Sequence, residues 1–488
     1  VGAGSGAVET GRIDRFRGTG AAEGADIQQI YGRVRVAGQV IWASQFLESS
    51  KTTGGGTGSS PQPETTTYSY SVSLAVALCE GQISRIGRIW ADGTEVAPDT
   101  VNMRLYHGTD DQLPDPKIAA IEGTDYAPAY RGTAYIVFED LALGQFGNRI
   151  PQLTFEVMRP GQGAAAELRD MVLGVALMPG AGEYALATKQ LHASSAYGAR
   201  TAVNTHTPLG GSDFTVSMNA LEAELPACGS VLLPLTWFAD DLRCGVCQIA
   251  PKGVEGQNNA SGMPWVVSGQ TRTTAGTVAE VDGTPIAGGT PADEAVVEAI
   301  ADIKARGLDV VVSPVLMMEQ LEGNSLPDPT TGDTGQPALS WGGESTPSLA
   351  PGIAGSPDGT AAADSEVGAF MGQAAVDDFT TSGTTVSYNG PAENSYRRFV
   401  LHYAHLCAAA GGVSAFCIGT ELAGLTRIRG ASGFPMVDAL RALAADVRQI
   451  LGANCKISYS ADWTEYHGMQ PVGTEDKIFH LDSLWADV

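Results

Sequence analysis

The feature that most constrains this 488-residue chain is the alternation of element types in its second half. Val231-Leu-Leu-Pro-Leu-Thr-Trp-Phe238, Leu308-Asp-Val-Val-Val-Ser-Pro-Val-Leu316 and Ala415-Phe-Cys-Ile-Gly-Thr420 are short apolar runs without a polar face, the pattern of strands buried on both sides. Between them Val296, Ile300 and Ile303 recur at helical spacing, as do Tyr396, Phe399, Val400, Tyr403 and Cys407. Met436, Leu440, Leu443, Val447 and Ile450 form a further stripe. Strands alternating with helices predict a parallel sheet with helices outside, here an α/β (β/α)8 barrel. In this count 231–238 is the first strand, the weak run 264–267 the second, 308–316 the third and 415–420 the fourth. Lys456-Ile-Ser-Tyr-Ser-Ala461 is the fifth, and Leu484-Trp-Ala-Asp-Val488 starts the sixth. The barrel is therefore expected to be incomplete in this chain, which starts without Met and looks like a piece of something longer.

The first 160 residues read differently. Residues 68–78 alternate apolar with polar, the period of a half-buried strand, and 83–90, 133–138 and 152–158 add further strands. The stretch 30–42 reads as a strand pair turning at Ala37-Gly38. Glycine, serine and threonine dominate 50–66, which predicts a flexible loop. The expected organisation is a β-rich domain over 1–160, a connecting α/β region over 161–226 and a barrel over 227–488. In the connection, 167–178 reads as a helix and Asp213 as the N-cap of another. Thr290-Pro-Ala-Asp293 has the signature of a helix start, with Thr290 as the cap. A Gly-, Pro- and Ser-rich excursion over 322–389 far exceeds the ~2–6 residues usual between strand and helix, and would overhang the mouth of the barrel.

Glu421 follows the fourth strand. A carboxylate there sits on the face that carries catalysis in such barrels, and Phe416, Cys417 and Ile418 supply the apolar surroundings that raise a carboxyl's pKa, as a general acid requires. The bland alternatives are a cap for the following helix or an ion pair with Arg427. Asp240 and Asp241 end the first strand, placed either to bind a ligand at the mouth or to be solvated. Trp463 beside Asp462 and Glu465 is either an aromatic ligand platform flanked by carboxylates or ordinary core. Trp341 lies on the long excursion, where it can lean over the mouth. Cys244-Gly-Val-Cys247 has metal or redox spacing but no second pair, so packing cysteines are expected. Asp328 and Asp333 are a poor calcium loop because of Pro329, and His467 and His480 lack metal spacing; no metal or cofactor is predicted. A formal charge of −25 with seven lysines leaves no basic stripe, so no nucleic-acid contact is predicted. No uninterrupted apolar run reaches the ~18 residues a membrane helix needs.

Two sets of residues carry a resemblance. Glu80-Gly81, Ile89-Trp-Ala-Asp-Gly93, Ala129-Tyr-Arg-Gly-Thr-Ala-Tyr-Ile-Val-Phe-Glu139 and Gly147-Asn-Arg-Ile-Pro-Gln-Leu-Thr-Phe-Glu156 resemble the hub region of phage tail-tip proteins and of the gene transfer agent baseplate family. Trp237-Phe-Ala-Asp-Asp241-Leu-Arg243, Ser395-Tyr-Arg-Arg398, Phe416-Cys-Ile-Gly-Thr-Glu421, Tyr459-Ser-Ala-Asp462-Trp463-Thr-Glu465 and Phe479-His-Leu-Asp482 resemble the TIM-barrel domain of that family, which is similar in turn to retaining β-glycosidases. The resemblance implies a multidomain virion protein made in the bacterial host, with a homotrimeric hub at the tail tip. It would contact other tail proteins (distal tail, hub and tube-end proteins) and host envelope glycan. It also implies that Glu421 is the acid/base and that the nucleophile ends strand seven beyond residue 488; Trp237, Asp240, Asp241, Trp341, Thr420, Tyr459, Asp462, Trp463 and Glu465 are then the residues expected around the substrate. Thr420 stands where many of these enzymes have Asn, with a shorter reach toward the sugar 2-hydroxyl. The function implied is a structural tail-tip protein with a glycosidase-like barrel, or with a catalytically silent one.

Overall fold

The strand Thr65–Glu80 organises the N-terminal unit. Gln39–Ala43 and Leu47–Thr53 pair antiparallel along one of its edges and Thr133–Ala142 along the other, with Met103–His107 beyond. The computed structural model describes residues 8–10, 26–53, 65–96, 100–159, 161, 168–194, 200–207, 210–471 and 475–488. One unit comprises 1–168 with 207–210, the other 169–206 with 211–488. A second sheet in the first unit runs Gly32–Ala37, Leu153–Arg159, Arg85–Ala91, Thr94–Val96. Val72, Leu74, Val76 and Leu78 from the first sheet share one buried cluster with Val36, Ile89, Phe155 and Val157 from the second. Period-two alternation puts those side chains on inward faces.

The expected strand pair over 30–42 is not a hairpin. Gly32–Ala37 pairs with Leu153–Arg159, whereas Gln39–Ala43 pairs with Thr65–Glu80 in the other sheet. Gly38 makes the crossing possible, because a Cβ there would lie 2.4 Å from Val76 Cγ1 and 2.6 Å from Phe155 Cε2. Of the loop expected over 50–66, residues 50–53 and 65–66 lie in strands, and 54–64 fall outside the described residues.

The second unit is built on a sheet whose parallel strands run Gly174–Ala176, Ser230–Ala239, Asp309–Met318, Ala415–Thr420 and Lys456–Ser460, with Ile249–Ala250 added antiparallel. Helices Asp213–Glu224, Asp293–Ala305, Tyr396–Ala409 and Pro435–Leu451 bury their apolar faces in the same core as these strands. Trp237 shows the contact, its ring 5.4 Å from Phe399 on the third of those helices.

The expected strand count needs two corrections that cancel. Among the described residues Val266–Val267 pairs only with Gln270–Thr271, in a small hairpin, so it is not the second strand. The true first strand is Gly174–Ala176, inside the stretch read as a helix, of whose described residues only Leu168–Met171 are helical. Most of the region expected as a connection thus belongs to the barrel-like unit, and Ala415–Thr420 is still the fourth strand. At the far end Asp482–Asp487 is a helix, not a sixth strand. Two caps also shift by a residue or more. Ser212, not Asp213, accepts from the Thr215 N–H, and helix Asp293–Ala305 starts behind Ala292 without a side-chain cap while the Thr290 hydroxyl accepts from Lys252 N. The excursion 322–389 is structured, with helix Ala361–Met371 and a hairpin of Phe379–Ser382 with Thr385–Tyr388. Among the described residues no helix is long and apolar enough to cross a membrane.

Candidate functional site

Glu421 leaves the fourth strand with φ of +50°, a left-handed conformation that costs a non-glycine residue about 1 kcal/mol or more and is usual at positions constrained from several sides. Its N–H donates to Ser460 O at 2.7 Å, on the neighbouring strand. Its carbonyl faces Gly343, where a Cβ would come within 1.9 Å, so only glycine lets the excursion pass there. The carboxylate is half-buried and has no hydrogen bond or ion pair among the described residues. Both bland alternatives fail on geometry. Arg427 donates instead to Thr464 Oγ1 at 2.6 Å, and helix Ala423–Thr426 has Leu422 at its N-cap with no side-chain cap.

Tyr459 and Glu465 hold the carboxyl ends of strands four and five together. The buried Tyr459 hydroxyl accepts from Leu422 N at 2.7 Å and donates to Glu465, 3.1 and 3.2 Å from its two oxygens. Glu465, 2% exposed, also accepts from Thr426 Oγ1 at 2.5 Å and from Asp462 N at 2.8 Å. Burial pushes its carboxyl above the ordinary value, and the bonds it accepts offset only part of that. Burial likewise pushes the Tyr459 hydroxyl well up, and His480, behind Thr426, down to about 4. Asp462 accepts from Thr464 N at 2.8 Å and from the Thr464 hydroxyl, which lowers its pKa, and leaves Trp463 72% exposed beside it.

The remaining expected residues divide sharply. Thr420 turns its hydroxyl to Ser313 Oγ at 2.9 Å and Pro314 O at 3.3 Å, between strands three and four. Trp341 bridges Met317 at the end of strand three, packs beside Gly343 and stays 46% exposed, so the excursion does reach the end of the sheet near Glu421. Trp237 is the clear misfit, fully buried among Phe399, His402 and Tyr403 with no face for a ligand. Asp240 is exposed and accepts from Gln248 N at 2.8 Å. Asp241 is buried: the Arg243 guanidinium grips it at 3.1 and 2.7 Å, and Gln336 Nε2 donates at 2.7 Å. Burial alone would raise the Asp241 carboxyl, but these donors outweigh it and hold it below the ordinary range.

Two residues at this end escaped sequence reasoning. Glu319, directly after strand three, is nearly buried, ion-paired with Lys252, and keeps one carboxylate oxygen without a partner. Gln336 ties Asp241 to Leu242 N at 2.9 Å and Pro327 O at 2.9 Å. Carrying the third strand on to Met318 would have placed Glu319 at the same end as Glu421. Cys244 and Cys247 are buried and free, with burial pushing both thiols up, Cys247 to about 12. No His, Cys, Asp and Glu among the described residues cluster as a metal site.

Parallel strands, helices packed against them and carboxylates at the carboxyl ends define a TIM-barrel-like α/β domain in the second unit. Residues 394–488 match the family model of the GTA TIM-barrel-like domain. Among solved structures, a chain of the virion of a native gene transfer agent particle is 55% identical, over 33% of this chain and 33% of that one, with a TM-score of 0.25. The GH113 β-1,4-mannanase, in complex form, aligns over 49% of this chain and 46% of its own at 14% identity and a TM-score of 0.22. The chain thus spans a third of the virion protein's length and under half of the mannanase's. No curated protein matches.

Proposed function

We propose that this chain is a virion component of a gene transfer agent or related tailed phage. In this reading the β-rich unit builds a homotrimeric hub at the tail tip, against the distal tail and tube-end proteins, and the barrel turns Glu421 toward host envelope glycan. The observation that carries the reading is the family-model match over 394–488, which contains Glu421 and strands four and five. A half-buried carboxylate, free of partners at the end of the fourth strand, suits an acid/base that protonates a departing glycosidic oxygen and then deprotonates water.

A second reading is a barrel that serves structure or binds glycan without cutting it. Retaining hydrolysis needs a further carboxylate ~5–5.5 Å from the first. At this end Glu465 is engaged by Tyr459 and Glu319 by Lys252, so the two readings divide on whether a carboxylate ends the seventh strand. The discriminating measurement is release of soluble glycan from host envelope by the full-length virion protein and its Glu421→Gln form. A working acid/base predicts a loss of ~10²–10⁴-fold; equal release from both forms removes Glu421 from the chemistry, and release from neither selects the binding module.

A further inference from the structure

The loops after strands four and five, together with Pro351 and Asp358 of the excursion, line a cavity of about 500 Å³ that Arg427, Trp463, Thr464 and His467 face. Trp463 is 72% exposed, its ring perpendicular to that of His467 with 5.9 Å between centroids. An indole left open beside a cavity gives the flat apolar surface on which a pyranose ring can stack, while its own environment supplies no apolar cover.

Arg427 sets the chemistry of what stacks there. Several guanidiniums in this unit are matched by carboxylates, Arg243 by Asp241, Arg272 by Glu183 and Arg429 by Asp358, whereas among the described residues the Arg398 guanidinium bonds only to Glu393 O and Asn394 Oδ1, away from this cavity. Arg427 makes no ion pair among the described residues, donates one hydrogen bond, to Thr464 Oγ1, and keeps its Nε buried without a partner. The carboxylates that sense its charge direct their bonds elsewhere: Asp462 to Thr464, Glu465 to Thr426, Tyr459 and the Asp462 N–H. Asp358, also in the wall, is held by Arg429. A planar donor group with unused N–H bonds, in a cavity beside an aromatic platform, matches a carboxylate attached to a ring that stacks. The Arg427 side chain is partly exposed, so its remaining N–H groups can reach an acceptor that enters the cavity, while its Nε is buried without one.

Building on the glycan reading above, we propose that the Arg427–Trp463 cavity is a subsite for a sugar that carries a carboxylate. The ring would stack on Trp463 and the carboxylate accept from Arg427. Two sources share that chemistry, a hexuronic acid and an amino sugar with a lactyl ether. The net charge of −25 opposes polyanions, which makes short sugars with one carboxylate the fitting probes.

The test is calorimetric titration of the whole chain with three probes: a short oligosaccharide holding one hexuronate, a lactyl-ether amino-sugar disaccharide, and a neutral oligosaccharide of equal length. At least one acidic probe should bind about tenfold or more tighter than the neutral one, and which one does identifies the source. Arg427→Gln should abolish that preference and Arg427→Lys keep part of it. Trp463→Ala, at a position 72% exposed, should weaken every sugar that binds while leaving the acidic-to-neutral ratio. Equal affinity for acidic and neutral sugars, or a preference that survives Arg427→Gln, overturns this subsite alone. Failure of all three probes overturns the subsite and the glycan reading together.

Discussion

At Asp241 three donors converge on one buried carboxylate: the Arg243 guanidinium, the Arg243 N–H at 2.8 Å and the Gln336 amide. Removing it leaves a guanidinium and an amide facing an apolar wall, so Asp241→Ala should cost about 3 kcal/mol, read as a lowered urea midpoint with unchanged slope. Asp240→Ala, one residue earlier and exposed, should stay within about 0.5 kcal/mol. The pH dependence follows from the sign of the shift. The folded state holds the Asp241 carboxyl below its ordinary 3.8, so the unfolded chain binds more protons across that interval. The stability it contributes is present above pH 3.8 and is lost as pH falls through the lower folded value. Asp241→Ala should therefore flatten the acid limb of the stability curve. Glu465 has the opposite sign, since burial raises its carboxyl above 4.5 and its contribution weakens as pH climbs from there.

At the scale of elements, the turn Trp341–Gly343 joins the excursion to the ends of strands three and four. Gly343→Ala puts a methyl against the Glu421 carbonyl, and backbone cannot yield as a side-chain tip can. The turn should lift, at a cost of roughly 1–3 kcal/mol, with faster protease cleavage within 322–389 as the measurement. This contact joins residues 78 positions apart, and nothing in either local pattern announces it. The long apolar strands were legible because burial on both faces leaves continuous runs, as at Ser230–Ala239 and Asp309–Met318. Gly174–Ala176 was not, since three residues carry no period and its Gly and Ala resemble loop. Trp237 was misplaced for a related reason: a residue near a strand's end faces either the mouth or the helices, and only the register decides. Glu421 was found because it ends a run, whereas Glu319 was hidden by stopping its strand at Leu316.

The whole molecule is acidic, with a formal charge of −25 and an isoelectric point near 4.5. Solubility should pass through a minimum near pH 4.5, and duplex DNA should show no mobility shift at ~0.1 M salt; a retained complex would reveal a basic surface that the charge count does not contain. Each unit has its own buried cluster, one with Phe155 and Val76, the other with Trp237 and Phe399. In the first unit the chain runs from one sheet into the other through Gly38 without a loop. Mechanically, that is a seam sewn with the backbone itself. Tension that tries to part the two sheets is carried by covalent bonds at Gly38 and passed to the ladders on either side, so the two sheets share load at that point.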